Sequence, residues 1–575
     1  MRRLLPLLPL LMLATALLVR ALAGGYLHGD DAYIHTIWTQ QFLTGLEAGA
    51  WYPRWVAETN AGCGSPSFVY YPPLSFYAHA FWDLLTDDVA AMIRLSGVTA
   101  VLLAGLTSFG WFRSSGRAWT ASLAACLYMA LPYHLLDLCY RAAMAELWAF
   151  VWAPLVPWGA EMIARRRAPG LPVLAAGIGG LLLTHLPAAL MMAGVYAAYL
   201  VHGTVRSRTA DVALRQLLAG VGGVALAAVF LLPLATGWDH VSLGAMDRYD
   251  PAENLLFQPD AWDPVLNRMV SAAALAALGL CVAGLFAAAL LPRGRRGGGG
   301  APPTWLPALA GILCFALMVP ASAPVWEAVP LLPKLGFPWR LLLPMSLFAA
   351  AAVAGAAEGL AGAASRGRQI AVGVVLGIAV IANGILAVHA VVGYRGFEDS
   401  HQIDLHPSMP AHELEADLNR FNPGALSLRD VGEYRPRWSV LHDPDDPLGV
   451  VMPSSFFRGG QMIFSGGGGA DVVSWDPERR LIDLSSDRGG QLLVRLYYYP
   501  AWSARGEAGE LVLSPHPESG LTMLDVPPGT RSVELTYRRD VSHLAGGAIS
   551  FVSALLLGGL AFLAGQRRES GIGSS

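Results

Sequence analysis

The sequence predicts a mainly α-helical, polytopic membrane protein of about 12 spans, with a β-rich domain near its C-terminus. Three observations predict it. The 575-residue chain is 54% hydrophobic and only 14% charged, with a mean hydropathy of +0.46; a soluble domain carries about 25% charged residues. Apolar runs recur at close to the ~20 residues that cross a bilayer as a helix. Short alternating runs such as QLLVRLYYY, GELVLS and RSVELTYRR cluster near the end, where the period changes from helix to strand.

The first run, within MRRLLPLLPLLMLATALLVRALAGG, has the basic start and small-residue end of a signal peptide. Its apolar length and the many runs behind it favour a retained first span. Further runs fall at 89–112, 117–136, 144–163, 171–184, 187–203, 214–236, 269–291, 304–320, 338–362, 369–393 and 543–564. If Arg2 and Arg3 hold the N-terminus in the cytoplasm, alternation places Arg113/Arg117, Arg165–Arg167, Arg206/Arg208/Arg215, Arg293/Arg295/Arg296, Arg366/Arg368 and Arg567/Arg568 on the same side. Every predicted inner loop is then basic, as the positive-inside rule requires. Arg clusters bracket the stretch 171–203, so an even number of crossings lies between them. That predicts two short helices bent at THLP, around His185 and Pro187, and a cavity beside the break.

The topology divides the chain into a multi-span domain (1–393) with a first outer loop (25–88), an extracytoplasmic β-rich domain (394–542), and a final span with a cytoplasmic tail (543–575). It predicts a bacterial or archaeal inner-membrane protein with both termini inside. Lys334 is the single lysine, a bias that a GC-rich genome produces, and the net charge of −3 gives no sign of a nucleic-acid partner. No zinc spacing occurs among Cys63, Cys126, Cys139, Cys281 and Cys314. A disulfide between Cys63 and Cys139 is compatible with the topology, although nothing in the spacing calls for it.

The first outer loop holds the main chemical signal. It opens LHGDDAYIHT, with Asp30 and Asp31 at the exit of the first span and His35 four residues after Asp31. Charges beside a bilayer need a partner or a task. Asp also makes a good helix N-cap, so a purely structural role is the competing reading. The loop continues with Tyr52, Arg54, Trp55 and Tyr71 in a dense aromatic stretch, which suits the headgroup level and contact with lipid or acceptor. A carboxylate there can serve as general base toward a hydroxyl, while a lipid-phosphate carrier presents its phosphate at the same height. Arg141, Glu146, His185 and Arg340 fall at the same predicted face. Arg141 and Arg340 would bind phosphate through forked donors. Glu146, His185 and His35 are candidates for a substrate or a divalent metal. Each has a plainer alternative: an ion pair for Glu146, a satisfied core residue for His185, snorkelling for Arg340.

The stretch GDDAYIHTIWTQQFLTGLEAGAWYPRWVAETNAGCGSPSFVYYPPLSFY resembles the opening signature of the membrane-protein family related in name to 6-pyruvoyl-tetrahydropterin synthase. The matching positions are Asp31 and His35, Tyr52–Trp55, Gly62, Gly64, Pro66, Phe68, Tyr71–Leu74 and Tyr77. Later YRAAMAE, THLP, FPWR, EYRP and YYYPAWSARGEAG resemble its other motifs. Cys63 departs from the pattern, where an aromatic is expected. The soluble synthase's three-histidine zinc site has no counterpart here. The resemblance implies instead a GT-C-type membrane glycosyltransferase, akin to the YfhO-like group. That type uses a polyprenyl-phosphate sugar donor and a first-loop Asp as base, here Asp31 or Asp30. The expectation is an inverting transfer to a lipid, glycan or protein acceptor. A flippase of lipid-linked sugars and a non-catalytic envelope assembly protein are the alternatives.

Overall fold

The computed structural model describes residues 4–23, 31–242, 250–291, 305–330, 332–363, 365–392, 431–440, 451, 453–457, 460–485 and 488–570. Asp30 lies outside them. Among the described residues, eight helices are long and apolar enough to cross a membrane: Leu5–Leu22, Val89–Arg113, Met144–Ala164, Leu186–Ser207, Pro264–Leu290, Pro338–Gly362, Arg366–Val391 and Val541–Gln566. Three bent pairs qualify when each is taken as one span: Ala118–Ala130 with Pro132–Arg141, Ala210–Leu226 with Ala228–His240, and Trp305–Ala316 with Pro320–Ala328. Together with the shorter apolar helix Gly170–Thr184, they account for each apolar run in the sequence.

Two of the bends have a local cause. A proline disfavours the helical region for the residue before it. Leu131 precedes Pro132 with ψ 139°, and Val319 precedes Pro320 with ψ 158°. The chain also breaks at His185, which is extended at φ −156° between two helices. The second of these, Leu186–Ser207, is long enough to span alone. The expectation of two short pieces therefore holds for Gly170–Thr184 only.

The β-rich domain consists of two antiparallel sheets. One has the order β1 (Met462–Phe464), β4 (Gly490–Tyr497), β8 (Leu521–Val526), β7 (Leu513–Pro515). The other runs β2 (Ala470–Asp476), β3 (Arg479–Leu484), β9 (Ser532–Tyr537), β5 (Trp502–Gly506), β6 (Gly509–Leu511). Alternate residues face a shared core: Leu492, Val494 and Leu496 from one sheet, Ile482, Leu484, Val533 and Leu535 from the other. This is the period-2 pattern of a sandwich.

The first loop closes that core. Trp55, Ala57 and Cys63 are buried within it. Trp55 packs edge-on against Trp502 with ring centroids 5.6 Å apart, and the Tyr497 N–H donates to the Cys63 carbonyl at 2.8 Å. A tight turn presents these residues, pinned by paired bonds between Val56 and Ser65. Gly64 sits in it at φ +72°, and a Cβ there would lie 2.2 Å from the Trp55 indole nitrogen. Only glycine suits both demands. All five cysteines are free.

Candidate functional site

The site forms where the first loop meets the bent span ending at Arg141. Asp31 precedes the helix Ala32–Glu47 but does not cap it with its side chain. Its carboxylate turns instead to Arg141 Nη2, 3.8 Å away, and its backbone N–H donates to the Arg141 carbonyl at 3.1 Å. For Asp31 the capping alternative is thus not the geometry adopted. Arg141 closes a single π-helical turn, Asp137–Arg141, and is followed by Ala142 in the left-handed region at φ 52°. Such turns are uncommon inside helices and recur at functional sites.

Within this turn Arg141 is enclosed by acceptors. Its Nη1 donates to Asp137 Oδ1 at 2.5 Å and Glu146 Oε2 at 2.9 Å. The Tyr133 hydroxyl donates to Glu146 Oε1 at 2.6 Å. Trp339 lies under the guanidinium, 4.6 Å from carbon to ring centre, a cation–π contact. Arg340 approaches Glu146 from the other side, Nε to Oε2 3.8 Å, while its Nη1 donates to the Leu335 carbonyl at 2.8 Å. Exposure runs in one direction: Asp137 0%, Glu146 1%, Arg141 4%, Arg340 18%, Asp31 40%. The cluster is a buried ionic network whose wet end is the Asp31 carboxylate. Buried charges are tolerated only when paired in this way.

Three further residues border it. His185 uses Nδ1 to accept the Ala188 N–H at 3.3 Å, capping Leu186–Ser207, and lies within electrostatic reach of Glu146, Arg340 and Arg141. His35 is buried beside Tyr71, and its Nδ1 has no hydrogen-bond partner among the described residues. Burial lowers its imidazole to about 4, against the pull of Asp31 in the other direction. Tyr71 is half-buried. Burial, reinforced by Asp31, raises its hydroxyl above the ordinary phenol range.

Tyr52, Arg54 and Trp55 are placed differently from expectation. All three are buried at 1% exposure, so they do not present a surface to lipid or acceptor. Arg54 stacks on Tyr52 at 3.5 Å, its Nη2 donates to the Val229 carbonyl, and its backbone N–H donates to Glu478. These residues join the first loop to the helical domain and the β-rich domain. Among the described residues, the aromatic side chains that remain exposed in the loop are Trp51 and Phe81. Asp137 and Trp339, which the sequence places beside Arg141 and Arg340, belong to the network, and so does Tyr133, which the sequence does not single out.

Asp31, Asp137 and Glu146 all pair with Arg141, and among the described residues no group of three or more His, Cys, Asp and Glu side chains is placed to hold a cation.

The fold and site define a multi-pass membrane protein that keeps an ionic cluster beside its first loop. The chain belongs to the membrane-protein family of the 6-pyruvoyl-tetrahydropterin synthase related domain, whose model matches residues 68–392, more than half of it. No curated protein matches it in sequence. Among solved structures it is similar to the mycobacterial arabinofuranosyltransferase AftD, at 16% identity and a TM-score of 0.45, over 76% of this chain and 31% of that one. A mutant form of AftD gives 15% identity and 0.43, over 72% and 30%. The chain thus spans about a third of the length of AftD.

Proposed function

We propose that the protein is an inverting membrane glycosyltransferase of the GT-C type, moving a sugar from a polyprenyl-phosphate donor to a hydroxyl of a lipid, glycan or protein acceptor. The site would face the cell exterior or periplasm. The observation that carries this reading is the Asp31 carboxylate. It is not spent on helix capping, and it is held at the wet end of a buried ionic network.

In this reading Asp31 accepts the proton of the acceptor hydroxyl as its oxygen attacks the anomeric carbon. The bond from that carbon to the phosphate oxygen breaks on the opposite face, and polyprenyl phosphate leaves. Asp30, its neighbour, is the alternative base. Arg340 is the better-placed phosphate ligand, because its Nη2 has no partner among the described residues. Arg141, also a candidate for that task, already has Nη1 committed to two carboxylates. Its part is then to orient Asp31 rather than to grip phosphate. Glu146 tethers both arginines, and Tyr71 borders the space the sugar would enter. The β-rich domain, locked to the first loop through Trp55, would recognise the acceptor. No step is routed through a metal.

The test is transfer by purified protein supplied with membrane extract as the source of donor and acceptor. Asp31→Asn together with Asp30→Asn is expected to abolish transfer while leaving the protein folded. Full activity in that double variant would sink the proposal. Transport of a lipid-linked sugar without turnover in proteoliposomes would favour the flippase reading, which the three bent spans also suit.

A further inference from the structure

We infer that Asp137 is a positioning residue for the transfer reaction: it sets Arg141, and through Arg141 the Asp31 carboxylate, without touching substrate. This rests on the transfer reading above.

Asp137 is fully buried, so no substrate reaches it. It holds Arg141 twice over. Its Oδ1 accepts from Arg141 Nη1 at 2.5 Å. Its backbone carbonyl accepts the N–H groups of Ala142 and Ala143, which closes the π-turn and carries the chain through the left-handed Ala142. The Arg141 carbonyl that this turn presents is the acceptor for the Asp31 N–H. The guanidinium, fixed by Asp137 and Glu146 on Nη1 and by the Trp339 face, offers Nη2 toward Asp31. Both the main chain and the side chain of Asp31 therefore take their place from a turn that Asp137 closes.

Stability does not require this arrangement. Two buried carboxylates on one guanidinium are costly to desolvate, and well-packed apolar side chains commonly replace buried ion pairs without loss. Glu146 alone would suffice to pair Arg141. The second carboxylate adds direction: with two acceptors on Nη1, rotation of the guanidinium away from Asp31 breaks two charge-assisted bonds.

The experiment compares wild type, Asp137→Asn and the double variant Asp30→Asn with Asp31→Asn as purified full-length proteins, measuring kcat and KM for donor with membrane extract. Asp137→Asn keeps the shape and weakens the hold on Arg141. It is expected to lower kcat by about a hundredfold, the scale of a small misplacement, with KM within about twofold. A merely structural residue would show no such split between kcat and KM. If Asp137→Asn does not fold, Asp137→Glu replaces it, with the same kcat–KM split expected. Failure of both to fold, or a folded Asp137→Asn with wild-type kcat, overturns the inference. A wild type without transfer, or an active double variant Asp30→Asn with Asp31→Asn, overturns the transfer reading instead.

Discussion

Asp31 and Arg141, 110 positions apart, are joined twice: Oδ2 to Nη2 at 3.8 Å, and the Asp31 N–H to the Arg141 carbonyl at 3.1 Å. The side chain that meets Arg141 is also the most exposed member of its network. A group tied to a rigid buried cation yet open to solvent is suited to exchange a proton with a bound hydroxyl. Asp31→Asn should therefore cut transfer by roughly 10²–10⁴-fold, the usual scale for removing a general base. Because the carboxylate caps no helix, thermal unfolding should change little. A large drop in unfolding temperature would mark Asp31 as structural.

Arg340 is expected to act on donor affinity. Among the described residues its Nη2 has no hydrogen-bond partner at the edge of the network. Arg340→Ala removes a charge-assisted bond worth about 1.5–3 kcal/mol, a roughly 10- to 150-fold rise in KM for the donor. Arg340→Lys should recover part of it, since the ammonium lacks the fork. Unchanged KM in the alanine variant would exclude Arg340 from donor binding.

His35 gives a pH prediction. Burial lowers its imidazole from 6.5 to about 4 in the folded protein. Between those values the unfolded chain binds more protons than the folded one, so stability rises with pH there. The contribution is fully present above about pH 6.5 and is lost progressively as pH falls toward 4. His35→Gln should flatten denaturant-derived stability across that window. An equally steep fall in the variant would assign the acid sensitivity to other groups.

Gly64→Ala tests the joint between the two domains. The substitution places a Cβ at φ +72°, 2.2 Å from the Trp55 indole nitrogen. Left-handed strain and overpacking together cost roughly 2–5 kcal/mol. The unfolding transition of the β-rich domain should fall accordingly, and limited proteolysis should release it. An unaltered transition would show that Trp55 can leave its place at no cost.

Hydropathy made the spans legible, because apolar length and Arg placement are one-dimensional signals. Asp31, Arg141, Glu146 and Arg340 stood out for a similar reason: a charge next to an apolar run needs a partner. Asp137 was legible as a neighbour of Arg141 but its role was not, since a carboxylate four residues before an arginine reads as an ordinary helical ion pair until the π-turn is seen. Tyr52, Arg54 and Trp55 misled because aromatic density is the same for an interfacial anchor and for a plug in a distant core. Glu478, which accepts the Arg54 N–H, lies more than 400 positions away, beyond the reach of any local pattern.

The most direct measurement is mass spectrometry of cell-envelope glycans and lipids in a strain lacking the protein, complemented by wild type or Asp31→Asn. Loss of a glycosylated component, accumulation of its lipid-phosphate sugar, and rescue by wild type alone are the predicted result. An envelope unchanged by the deletion, or restored in full by Asp31→Asn, would contradict the account.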